Sequence, residues 1–299
     1  MKRRTHKKYR KRRTLKRLRY VGGNNGKCVF ARMLGGLGNQ LFVYAAGILV
    51  KNKVNLPLCL IKEGNPHSNI NYINEIFKQG SEYTNSDLQQ RLDNSEIIFS
   101  NVNDAHNSFK NTNIKYSSNK DLYLNHTYYQ NYESMKSVIP SIRNDFKIYF
   151  ESKYNDLKNT FERESLSKCS AYMHIRRGDY NEYALPITYY QSALDLLHQN
   201  TSIKYLYILS NDIQWCKHQN FNTYNIEIRW VDNPDELYSL YLMSLCMAGA
   251  ILSGSTFSLW GVLLGADQNS SSIIIYPSKW YMTHSDKLSL PTWWKKINL

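Results

Sequence analysis

From Ala171 onward, short apolar runs alternate with helix-length segments, and this alternation restricts the fold more than any other feature of the chain. Ala171–Ile175, Ile203–Leu209, Ile226–Val231, Ala250–Leu252 and Ser272–Tyr276 read as strands. Between them, Pro186 opens a helix over Thr188–His198, Ser210-Asn211-Asp212 precedes a short helix, and Pro234–Met247 reads as another. Strands that alternate with helices at this spacing predict an α/β fold with a parallel, doubly wound sheet. Ligands of such sheets sit at the carboxyl ends of the strands. The two most unusual polar clusters of this half, residues 176–179 and 253–258, both fall at such ends.

Upstream the pattern is sparser. Cys28–Met33 is strand-like and runs into Gly35-Gly36-Leu37-Gly38, after which Asn39–Lys53 reads as a helix. Ile139, Ile142 and Phe146 give the later part of 128–148 a helical spacing, and the polar stretch 150–168 is suited to joining two domains. Residues 63–125, rich in Asn, Ser and Lys, show no decisive period.

The formal charge of +14 is concentrated at one end. Residues 1–20 hold 12 Lys or Arg and no acid, whereas the rest of the chain is close to neutral, with 26 basic against 24 acidic residues. Such a segment repels itself and buries little, so it is expected to be a disordered basic tail. It suits either a solubilising arm or an electrostatic tether to nucleic acid or an acidic membrane surface. No apolar stretch or small-residue cleavage site follows it, which argues against a secretory signal. Leu237–Ala266 is 30 residues without a charge, long enough to span a bilayer. Its Ser-Gly-Ser-Thr centre argues instead for helix, buried strand, polar loop and helix in a soluble core. The five cysteines form no CxxC, so neither a disulfide framework nor a zinc site is legible. The expectation is a cytoplasmic protein without a transmembrane anchor.

Three clusters carry chemistry. His174-Ile175-Arg176-Arg177-Gly178-Asp179-Tyr180 puts two guanidinium groups at a strand end, where their forked donors suit a phosphate. Gly178 permits a tight turn and Asp179 can orient one arginine; the same residues would also make an ordinary ion pair. Gly254-Ser255-Thr256-Phe257-Ser258, just before an apolar helix starting near Leu259, offers hydroxyls and backbone N–H groups to an anion, or simply caps the helix. Gly35-Gly36-Leu37-Gly38-Asn39-Gln40 approximates a dinucleotide fingerprint but has Leu41 at the third glycine and no acid at the required distance. It is read as a turn that brings backbone close to a ligand, with Asn39 and Gln40 as polar readers. GxxxxGK[ST], HExxH and GxSxG are absent, and so is any Asp-x-Asp, the usual metal–diphosphate pair. A bound diphosphate must therefore draw its compensating charge from Arg176 and Arg177, and no metal ligands are assigned.

Taken in order, these clusters resemble those of the family 11 glycosyltransferases, the α-1,2-fucosyltransferases. Gly35–Gln40 with Leu41-Phe42-Val43-Tyr44-Ala45 resembles the family's GGLGNQ-x-F-x-YA opening, and His174–Tyr180 its H-[VI]-R-R-G-D-Y. Ser210–Lys217 is similar to S-D-D-x-x-W-C-K. Leu242-Met243-Ser244 with Cys246, followed by Ser255-Thr256-Phe257-Ser258, is similar to L-M-S-x-C and N-S-T-F-S-W-W. The resemblance covers residues 28–280 and places the chain near soluble bacterial or viral forms.

It implies a GT-B-like architecture of two Rossmann-type domains facing a cleft: an acceptor-side domain over 27–155 and a donor domain over 165–299. It also implies GDP-fucose as donor substrate with no cofactor or required metal, a galactose-terminated glycan as acceptor, and inversion to an α-1,2 linkage. By that resemblance Arg176 and Arg177 hold the β-phosphate, with Asp179 beside them. His174, Ser255, Thr256 and Ser258 line the donor, and Gly36, Gly38, Asn39 and Gln40 face it across the cleft. Three positions depart from the family pattern: Gly254 replaces Asn, Leu259 replaces the first Trp, and Ser239 stands where a guanine-binding Asp is usual. Asp235 and Glu236 lie one turn earlier on the same helical face, and Glu236 could substitute.

Overall fold

Val29–Met33 (β1) is buried at four of its five positions, as a strand covered on both faces must be. The structure, a computed structural model, describes residues 26–63, 70–98, 116, 119–124, 128–221, 224–268, 271–280 and 283–299. The basic tail and much of 99–127 therefore lie outside the described residues.

After β1 come α1 (Leu37–Val54), β2 (Leu58–Lys62), α2 (Tyr72–Glu75), β3 (Ser81–Glu82), α3 (Leu88–Asp93), β4 (Glu96–Ile98) and β5 (Leu122–Leu124). These strands form one parallel sheet in the order β3-β2-β1-β5-β4. The helices α4 (Tyr132–Met135), α5 (Ile139–Lys153) and α6 (Asn155–Arg163) lead to the second half. There β6 (Ser170–Ile175), α7 (Ile187–Asn200), β7 (Tyr205–Ser210), α8 (Ile213–Lys217), β8 (Glu227–Val231), α9 (Glu236–Leu245), β9 (Gly249–Ile251), α10 (Thr256–Leu264) and β10 (Ile273–Pro277) follow. A short antiparallel pair, β11 (Lys279–Trp280) and β12 (Thr283–His284), precedes the final strand β13 (Lys295–Ile297).

The second sheet is parallel, in the order β8-β7-β6-β9-β10-β13. Numbered from β6 this is 3-2-1-4-5-6, the strand order of a Rossmann sheet, and the α/β expectation holds. In both sheets the order reverses beside the first strand, between β1 and β5 and between β6 and β9. Those switch points are where crevices open at the carboxyl ends. The edge strand β13 had no sequence signal. Two of its three residues are exposed lysines, a composition that discourages further pairing at an edge.

The uncharged stretch 237–266 folds as α9, β9, a Ser-Gly-Ser turn and α10, the helix, strand, loop and helix expected of it. Among the described residues no helix is long and apolar enough to cross a membrane. One apolar cluster runs through both halves instead of stopping at a boundary between them. Helix α1 is buried from Leu37 to Val50 apart from Asn39, and its Phe42 meets Trp260 of α10 edge-on at 5.2 Å. Helix α5 presents Ile139, Ile142, Phe146 and Phe150 on one face. That face packs on the second half: Phe150 stacks on Tyr241 at 4.9 Å, and Arg143 donates to Leu263 O from Nε and Nη2 at 3.1 and 2.7 Å. A helix that follows the first sheet in the chain thus also packs on the helices of the second half.

Candidate active site at the facing strand ends

β6 delivers His174 and Arg176 to the switch point of the second sheet. His174 is 4% exposed, and its Nδ1 lies 2.8 Å from Ser253 Oγ in the loop after β9. Burial, with the nearby Arg176 charge second, lowers its pKa to about 3, so the ring is neutral. His174 thus ties the two central strand ends together beneath the surface, with its ring 5.6 Å from that of Phe257.

Beyond β6 the chain turns sharply. Gly178 has φ +48°, and a Cβ there would lie 2.6 Å from Asn211 Nδ2. Asn211, from the loop after β7, accepts from Arg177 N at 2.9 Å and donates to Asp179 Oδ1 at 3.1 Å. Asp179 Oδ2 accepts from Arg176 Nη2 at 2.6 Å. Both carboxylate oxygens are therefore engaged in holding the loop. The Arg177 Cζ lies over Trp215, 3.7 Å from the ring centroid, and its Nε is 3.7 Å from Asp212 Oδ2. The Nε atoms of both arginines are buried without a hydrogen-bond partner among the described residues. A buried, unpaired guanidinium N–H is costly, and an anion that accepts from it removes the cost.

The 253–258 cluster is part helix. Helix α10 begins at Thr256, three residues earlier than its apolar run indicates, because Ser255 caps it by accepting from Phe257 N at 3.3 Å. Ser258 Oγ is wholly buried and donates back to Ser255 O at 2.8 Å, so it serves the turn and faces no cleft. Thr256 Oγ1 points across to the first half and donates to Asn39 Oδ1 at 2.9 Å. The same oxygen accepts from Gln130 Nε2 at 2.9 Å.

The glycine turn supplies the opposite wall. Gly36 caps α1 with no side-chain bond, and neither α1 nor α10 has an acid in its first turn. Two positive helix ends therefore converge. They come so close that a Cβ on Gly38 would lie 2.5 Å from Phe257 N and 2.6 Å from Thr256 C, so this glycine permits backbone-to-backbone contact between helices. Gln40 is 4% exposed and donates to Gly35 O at 2.7 Å; it fixes the turn instead of reaching the cleft. Glu236, in the first turn of α9, accepts from Tyr72 O–H of α2, a bridge between the halves. Asp235 is committed as the cap of α9 and accepts from Tyr154 O–H at 2.6 Å.

The structure thus gathers Gly36, Gly38, Asn39, Ser255 and Thr256 where α1 meets α10, and Arg176, Arg177 and Asp179 on the loop after β6, with His174, Ser258 and Gln40 supporting from beneath. Sequence reasoning gave no role to Asn211, Trp215, Tyr72 or Gln130. Asn211 carried a signal, a short polar run directly after a strand. Gln130 and Tyr72 carried none, since their partners are far along the chain.

Two parallel α/β sheets, the second in Rossmann order, with the N-termini of α1 and α10 converging between them and an arginine pair on the loop after β6, define a GT-B-like protein. The model of "Glycosyl transferase family 11" matches residues 33–296, and the chain belongs to that family. Two curated proteins of Escherichia coli are similar. One is the O-antigen biosynthesis glycosyltransferase WbnK, 32% identical over 139 residues, or 42% of this chain and 43% of that protein. The other is an α-1,2-colitosyltransferase, 24% identical over 85% of this chain and 92% of that protein. Among solved structures, the NodZ α-1,6-fucosyltransferase of Bradyrhizobium, co-crystallized with GDP, superposes with a TM-score of 0.52 over 81% of this chain and 93% of its own. At 10% identity that likeness concerns the fold.

Proposed function

We propose that this glycosyltransferase moves L-fucose from GDP-fucose to the 2-hydroxyl of a β-galactoside, with inversion to an α-1,2 linkage. The observation that carries the reading is the pair of buried Nε donors of Arg176 and Arg177, neither with a hydrogen-bond partner among the described residues, on the loop after β6 whose Tyr180 O–H donates to Gly254 O just before α10 at 3.2 Å. The diphosphate lies there, with Ser255 and Thr256 at its side and Gly36 and Asn39 opposite. As the bond from the anomeric carbon to the β-phosphate oxygen breaks, negative charge grows on GDP where these fixed donors already point. Each such donor is worth about 2.7–4 kcal/mol of barrier. The acceptor O2 attacks from the opposite face and its proton leaves to solvent, because a cation-like sugar demands little of a base. Asp179 orients Arg176, both of its oxygens being occupied.

The lack of Asp-x-Asp in the sequence supports metal independence, with the guanidinium groups supplying the positive charge. Guanine falls to Glu236, which must exchange its Tyr72 partner for the base. The α-1,2 linkage is supported by the relative that is an α-1,2-colitosyltransferase. That relative also favours a second reading, the same linkage with colitose in place of fucose. Incubating the purified protein with lactose and either GDP-fucose or GDP-colitose in EDTA, and reading the product by NMR, tests both readings. A fucosyl α-1,2 product supports the first; turnover with GDP-colitose alone supports the second. Transfer to another hydroxyl refutes both.

A further inference from the structure

Cys28, directly before β1, and Cys59, in the adjacent strand β2, lie at the end of the first sheet away from the cleft. The parallel register pairs Phe30 with Cys59, and Cys28, two residues before Phe30, shares its face. The two sulfurs are 2.6 Å apart, with the Cys59 thiol directed at Cys28, and the residues are 4% and 6% exposed. The other three cysteines are placed differently. Cys169 and Cys246 turn their sulfurs toward backbone carbonyls of their own helical turns, and Cys216 packs in the second half.

The surroundings make the pair unequal. Arg91 donates to Asp121 from Nε and Nη2 at 2.9 and 2.6 Å and reaches Gly26 O at 2.8 Å; Asp121 Oδ1 in turn accepts from Cys28 N at 2.8 Å. A guanidinium is thereby fixed beside the Cys28 sulfur. The hydrogen bond from Cys59 and, after it, the Arg91 charge draw the Cys28 thiol below its ordinary range, against the opposing effect of burial. Cys59, as the donor and buried, is pushed up. The cover is thin: a satellite cluster of Phe30, Ile61, Leu92 and Tyr123, separate from the main core. A local opening of α3 exposes both sulfurs without unfolding the sheet.

We infer that Cys28 and Cys59 form a redox-active dithiol that closes to an intramolecular disulfide by exchange with a low-molecular-weight disulfide such as oxidised glutathione. The Cys28 thiolate attacks one sulfur of the small disulfide and expels the first thiol. Cys59 then attacks the mixed disulfide at the Cys28 sulfur, its proton passing to the second departing thiol. The balance is two protein thiols and one small disulfide giving one protein disulfide and two small thiols. The bond clips β1 to β2 around the segment that holds the glycine turn and α1, and constrains the unfolded chain. Because it sits at the amino ends of the strands, it raises stability and leaves the site at the carboxyl ends in place.

The test is to incubate the full-length protein with oxidised or reduced glutathione, quench with acid, count thiols after denaturation, and map the peptides. Oxidation is expected to lower the count from five to three, to join the Cys28 peptide to the Cys59 peptide, and to raise the thermal midpoint by several degrees, all reversed by dithiothreitol. Cys59→Ser is expected to trap glutathione on Cys28. Five thiols surviving oxidation, separate glutathione adducts on the wild-type pair, or a bridge to Cys169, Cys216 or Cys246 would each overturn the inference, and the wild-type mapping decides even where the variant fails to fold.

Discussion

Replacing Gly38 with alanine tests how the two halves are joined. The added Cβ would sit 2.5 Å from Phe257 N, 2.6 Å from Thr256 C and 2.7 Å from Thr256 Oγ1. To reach ordinary contact at 3.4 Å, the first turns of α1 and α10 must part by about 0.9 Å. Alanine in a helix gains about 1 kcal/mol over glycine, while overpacking costs about 1–3 kcal/mol. Here the obstructing atoms are backbone, held by the Ser255 cap and by Leu259 N donating to Ser255 O at 3.2 Å, so the cost falls at the upper end. The net expectation is a loss of about 2 kcal/mol, or roughly 4–8 °C in thermal midpoint. Gly47→Ala is the control. Its Cβ meets Leu58 Cδ1 at 2.8 Å and Cδ2 at 3.1 Å, the far end of a flexible side chain that can turn away. Helix propensity then dominates and stability holds or rises by up to about 1 kcal/mol. Urea titrations of both variants give the two values. If Gly38→Ala is as stable as Gly47→Ala, the helices do not meet backbone to backbone and the account of the interface fails.

Other expectations follow from the site. Asn211→Asp sets a second carboxylate against Asp179; one of the two then holds a proton at higher pH than usual. Its kcat/KM should fall about tenfold at pH 8 and recover toward pH 5.5, and a pH profile parallel to the wild type would show that Asn211 does not align the arginines. His174 stays neutral down to about pH 3, whereas in the unfolded chain it takes a proton near 6.5. Its contribution to stability is thus present above 6.5 and falls by about 1.4 kcal/mol per pH unit below it. His174→Asn should remove that slope from urea titrations between pH 6.5 and 4.5; an unchanged slope would refute the buried neutral ring. Glu236→Gln should weaken GDP binding about tenfold in calorimetry, while Tyr72→Phe, which removes only the hydroxyl that donates to the same carboxylate, should not. Equal losses in both would make the bridge structural and remove Glu236 from the guanine site.

The sequence revealed elements whose signal is local. Five of the six strands of the second sheet, all but the edge strand β13, together with the uncharged stretch 237–266 and the arginine turn, follow from patterns within a few residues and stand where expected. Roles set by tertiary partners were less legible. Gln40 looks like a polar reader until the turn folds and Gly35 O takes its amide. Ser258 looks like a phosphate donor until α10 starts at Thr256 and buries it. Helix α5 follows the first sheet in the chain yet also packs on the second half, since an amphipathic stripe states that a partner is needed without saying which.

The most direct measurement of the central claim is calorimetric titration of GDP in EDTA into the wild-type protein, Arg176→Ala and Arg177→Ala, each shown by circular dichroism to be folded. If the two guanidinium groups hold the β-phosphate at the β6–β9 switch point, the wild type binds GDP without a metal, and each variant loses about 10²–10³ in affinity while guanosine binding is unaltered. Equal GDP affinity in all three proteins would place the diphosphate elsewhere and contradict the account.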